Sequence, residues 1–131
     1  MNWTRFASAL MGLTFLIHVF AGGPEVHDQL QTALHDDGLA AFAAILWHAV
    51  SVVLAVLAIG LWVLAARHYP SLEGILSAIQ IGFAALFVFY GLTRLGTLAP
   101  MPQWIIFLSI PALTRFGQFR NRKTRRSVLA H

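Results

Sequence analysis

The chain contains no cysteine. That excludes disulfides, thiol redox chemistry, thiolate zinc sites and cysteine-ligated iron–sulfur clusters. Covalent haem attachment through Cys-x-x-Cys-His is excluded with them. Charge is also scarce. Only 11% of residues are Asp, Glu, Lys or Arg, against about 25% in an ordinary soluble domain. Hydrophobic residues make up 58% of the 131 and mean hydropathy is +0.71. The solvent for most of this chain is therefore lipid. Phosphate loops, nucleophile elbows, dinucleotide fingerprints and paired intramembrane carboxylates are all missing. No internal repeat is visible.

Apolar runs dominate what is there. They cover residues 6–21, 39–66, 72–95 and 104–119. A crossing needs roughly 20 apolar residues, and unpaired backbone in hydrocarbon forces such runs into helices. The expected fold is an all-α integral membrane protein, an antiparallel four-transmembrane-helix bundle. Residues 1–119 form its single domain and 120–131 a basic tail.

Punctuation agrees with four spans. Gly22-Gly23-Pro24 ends the first. Arg67 and His68 close the second and Pro70 follows; Ser71 and Glu73 open the third. Pro102 starts the fourth, and Pro111 should kink it. Pro24 to Asp37 reads as a short amphipathic outer helix. Val26, Leu30, Ala33 and Leu34 make its apolar stripe, and Gly38 its stop. His27, Gln31 and His35 share another face.

The pI of about 10.8 is not a nucleic-acid signal. Six of nine basic residues, Arg115, Arg120, Arg122, Lys123, Arg125 and Arg126, fall at the C-terminus. With Arg5 and Arg67 they share one side, which the positive-inside rule makes cytoplasmic. Both termini are thus expected inside a bacterial inner membrane, the tail against anionic lipid headgroups. A rival reading takes Arg5, the first apolar run and Val19-Phe20-Ala21 as a cleaved secretory signal.

Four of six histidines and four of five acids lie between His18 and His48. Three chemistries compete for them. In the first, His18 and His48 bind a transition metal ion (zinc, copper or iron), with His27, Glu25 and His35 behind them. In the second, His18 and His48 are axial ligands to haem b. In the third, a histidine and a carboxylate act as acid and base on a lipophilic or anionic substrate, which Arg94 and Tyr90 help to bind. The metal reading is placed first. Its alternative is a non-catalytic accessory subunit of a larger membrane complex, with the histidines as polar contacts between helices. A membrane-protein partner or a second copy of the chain would then cover the apolar faces.

Overall fold

The computed structural model describes residues 2–128, with side chains through Phe119. The described residues form helix and no strand. Helix α1 spans Trp3–Leu16, α2 Asp28–Ala33, α3 Asp37–Ala66, α4 Pro70–Leu95 and α5 Gln103–Val128. Among the described residues, three segments are long and apolar enough to cross a membrane: Trp3–Ala21, Asp37–Ala66 and Pro70–Leu95. The chain is a helical membrane protein on that evidence. The fourth apolar run does not join this set. Its helix, α5, carries Ser109, Thr114, Arg115 and Gln118 among its apolar residues and continues as helix through the polar residues to Val128. The side chains of the basic tail beyond Phe119, where the headgroup contacts were expected, lie outside the described residues.

Gly22-Gly23-Pro24 does not end the first helix. Backbone helix continues through two π turns, Ile17–Ala21 and Gly23–His27, into α2. Their wider hydrogen bonds run from Gly22 N–H to the Ile17 carbonyl and from Asp28 N–H to the Gly23 carbonyl. Proline explains the widening. Pro24 has no N–H to donate back, and its ring would meet the carbonyl four residues upstream in a tight α turn. A π turn relaxes that crowding without breaking the helix.

The expected outer helix is therefore a continuation of the first, and it stops earlier. Leu34 is extended (φ −85°, ψ 118°). Its apolar stripe is not buried, since Val26 and Leu30 are exposed. Gly38 is not a stop but lies in the first turn of α3. Asp36 caps that helix: its carboxylate accepts from Leu39 N–H at 2.8 Å and its carbonyl from Ala40 N–H at 2.9 Å. At the far end of α4, Gly96 takes φ +66° and closes the helix on the Gly91 carbonyl. That left-handed turn suits glycine, which has no Cβ to strain it.

By contacts the chain divides into two compact units, residues 1–8 with 60–131, and residues 9–59. In the first unit α4 and α5 pack along each other. Phe107 of α5 stacks between Phe83 and Phe87 of α4, at 5.1 and 5.9 Å. The N-terminal turn is fastened to α5. Trp3 meets Phe116 edge-on at 5.6 Å. Gln118 is buried, and its amide donates to the Thr4 hydroxyl (3.4 Å) and the Leu64 carbonyl (3.3 Å). Arg5 lies over the Trp62 ring at 5.7 Å.

Gly117 permits this closeness. A Cβ there would stand 2.9 Å from Trp3 Cβ and 3.2 Å from the Thr4 backbone nitrogen, neither of which can swing aside. At Gly82 nothing lies within 4 Å. Gly117→Ala should therefore cost about 1–3 kcal/mol by overpacking. Gly82→Ala should be neutral or gain up to ~1 kcal/mol from helix propensity. Equilibrium unfolding in mixed micelles measures both, and equal stabilities would contradict the packing of Trp3 on α5.

Candidate functional site

The site lies in the unit of residues 9–59, where the doubly widened first helix passes α3. Its centre is Trp47. The His18 ring stacks on the indole, centroids 4.1 Å apart and planes 20° from parallel. His18 Nε2–H also donates to the Trp47 carbonyl at 3.4 Å. Ser51 donates its hydroxyl to the same carbonyl at 3.2 Å. Gly22 allows the approach: a Cβ there would lie 3.1 Å from the indole edge.

His27 occupies another side of Trp47, with ring centroids 5.7 Å apart. Its Nδ1 lies 3.1 Å from the Asp28 carboxylate. In the neutral ring Nδ1 must carry the proton to make that bond, so Nε2 presents a lone pair. Nε2 is buried and has no hydrogen-bond partner. The His48 ring stands 5.5 Å from that of His27.

These groups border one cavity of about 330 Å³. Phe15, Val19, Pro24 and Trp47 supply apolar walls, and His27, Asp28, His48 and Ser51 the polar groups. An apolar pocket with a few convergent polar groups is the common form of a small-molecule site.

The sequence-level candidates divide. His27 and His48 come together; His18 shares the centre but is committed to Trp47. Glu25 is exposed on the second π turn and is not among the residues lining the cavity. His35 is exposed beyond the end of α2, its Nδ1–H donating to the Ala33 carbonyl at 3.0 Å. Arg94 and Tyr90 belong to α4, in the other unit; both are exposed, and Tyr90 packs edge-on against Phe89 at 5.2 Å. Among the described residues, no group of three or more His, Asp or Glu is arranged to hold a metal ion. Sequence reasoning passed over Trp47 and Gly22 as site residues. Nothing in the sequence pattern marks Trp47 for a site, and Gly22 reads there as a helix end.

No protein-family model, no curated protein and no solved structure matches this chain.

The two contacts of His18 are separable. His18→Ala loses ring and hydrogen bond and should destabilise the protein by about 1–2 kcal/mol, the range for a part-buried ring contact and one hydrogen bond. His18→Phe keeps a ring against Trp47 and should cost less than half as much. Thermal unfolding monitored by tryptophan fluorescence reads the difference. Equal losses would assign the stabilisation to the hydrogen bond instead of the stack.

Proposed function

We propose that this is a small integral membrane protein that binds a compact, largely apolar molecule carrying an O–H or N–H group. The ligand occupies the cavity beside Trp47, and its donor hydrogen-bonds to His27 Nε2. The observation that carries this reading is the buried, unpartnered Nε2 of His27, a residue that lines a largely apolar cavity. Leaving such an atom without a partner costs about 1–3 kcal/mol, and a ligand donor recovers it. Asp28 holds the tautomer and orientation that make Nε2 the acceptor. The same pair equips His27 to take a proton from its ligand, the acid–base form of this reading.

A transition metal ion is the second reading, favoured by the 5.5 Å approach of the His27 and His48 rings. Two imidazoles could hold zinc, copper or iron only with further ligands from water or a bound molecule. Asp28 would then orient His27 from behind, as carboxylates do at histidine-bound metals. Haem between His18 and His48 gains no such support, because His18 Nε2–H is already bound to the Trp47 carbonyl. For orientation we favour the arrangement with Arg5, Arg67 and Arg115 on the cytoplasmic side, α5 completing an antiparallel four-helix bundle in a bacterial inner membrane.

The test uses paired probes in lipid nanodiscs. 1-Naphthol should bind about tenfold more tightly than naphthalene, the margin expected of one buried hydrogen bond. His27→Leu should abolish that margin and His18→Phe should keep it. No preference in the wild-type protein would overturn the organic-ligand reading. Stoichiometric zinc, copper or iron in chelator-free material, lost in both His27→Leu and His48→Leu, would select the metal reading.

A further inference from the structure

A second cavity, independent of the histidine pocket, opens between α4 and α5. It measures about 320 Å³ and is lined by Pro70, Glu73, Gly74, Arg115, Gln118 and Phe119. Its volume lies at the small end of ligand sites, which run from ~300 Å³ upward. Two helices bring opposite charges to its wall, Glu73 from α4 and Arg115 from α5. They do not neutralise each other: among the described residues no ion pair joins them, and Glu73 lies 3.7 Å from His68 Nδ1. One wall is rigid. Gln118 is 7% exposed, and its amide is held by Thr4 and Leu64. Phe119 and Pro70 add apolar surface.

Depth narrows the occupant. Pro70 is the first residue of a membrane-crossing helix, so Pro70, Glu73 and Gly74 lie in its first turns. In a bilayer that is the headgroup level. A ligand there meets a cation and an anion at once. We infer that this cavity seats the headgroup of a zwitterionic phospholipid of the phosphoethanolamine type. The phosphate pairs with the Arg115 guanidinium, whose planar fork matches phosphate oxygens. The ammonium pairs with the Glu73 carboxylate. The acyl chains run along the exposed apolar side chains of α4, Ile75 and Ile79 among them. A purely anionic headgroup would satisfy Arg115 and set its negative charge against Glu73, so it fits less well.

The experiment is native mass spectrometry of the full chain released from nanodiscs of equal phosphatidylethanolamine and phosphatidylglycerol. The wild-type protein should retain phosphatidylethanolamine about fivefold over phosphatidylglycerol, a ratio of the size one exposed charge contact provides. Glu73→Gln should remove that preference and Glu73→Asp should keep it. Arg115→Gln should lower retention of both lipids. Unfolding midpoints of the three variants show that each is folded. Phosphatidylglycerol retained equally or better by the wild type, or a preference untouched by Glu73→Gln, would overturn the inference. Displacement of the lipid by millimolar free phosphoethanolamine would make the soluble compound the occupant and overturn it as well.

Discussion

Pro24 withholds an N–H inside a helix that does not stop, and the histidine site depends on how the backbone answers. His18 and His27 are nine residues apart. At 3.6 residues per turn that is about 2.5 turns, which would put them on opposite faces of a regular α-helix. Each π turn takes in one residue more than an α turn. The two turns together leave the equivalent of about seven α residues, or ~1.9 turns, between the rings. An opposed pair becomes a same-face pair. Both rings accordingly meet Trp47. The two glycines beside Pro24 serve that arrangement: Gly22 lets the indole approach, and Gly23 supplies the carbonyl that closes the second wide turn.

Within the other unit, an apolar chain is held by a few polar contacts placed where backbone and side chains come closest. Gln118, Thr4 and the Leu64 carbonyl join the three segments that hydrophobic packing alone leaves free to slide. Lipid exerts no hydrophobic drive to bring helices together, so close packing at small residues and buried hydrogen bonds take that part. Gly117 and Gln118 are neighbours in α5, one removing bulk and the other adding a donor. The same sequence that tightens this contact makes α5 the least lipid-like of the long helices.

Legibility in the sequence follows from which physical signal each feature obeys. Long apolar runs depend only on composition, and 39–66 and 72–95 fall within two residues of α3 and α4 at either end. Pro24 to Asp37 reads in the sequence as one helix, whereas Asp36 caps a new one. What failed was phase. A helical wheel drawn at one period assigns His27, Gln31 and His35 to a common face and leaves His18 to pair with His48. Two π turns and the extended Leu34 break that period on both sides of His27. Glycine and proline together usually mean an ending, and at Gly22-Gly23-Pro24 they mean a change of pitch.

Three buried side-chain atoms lack a partner among the described residues: Trp3 Nε1, Gln80 Oε1 and His27 Nε2. They are not equivalent. Gln80 is fully buried within α4, and its amide donates to the Leu76 carbonyl while its oxygen has no partner. Trp3 donates nothing but packs edge-on against two phenyl rings, and its indole contributes chiefly apolar area. His27 differs in being oriented. A carboxylate on Nδ1 selects the tautomer, and His27 itself lines a cavity with largely apolar walls. A structural histidine gains nothing from having its second nitrogen aimed and left bare, because desolvating that atom opposes folding. A recognition histidine gains an acceptor already placed, whose ordering cost was met when the helix widened at Pro24. That difference is why the proposed ligand is placed in this pocket and not at either orphan atom elsewhere.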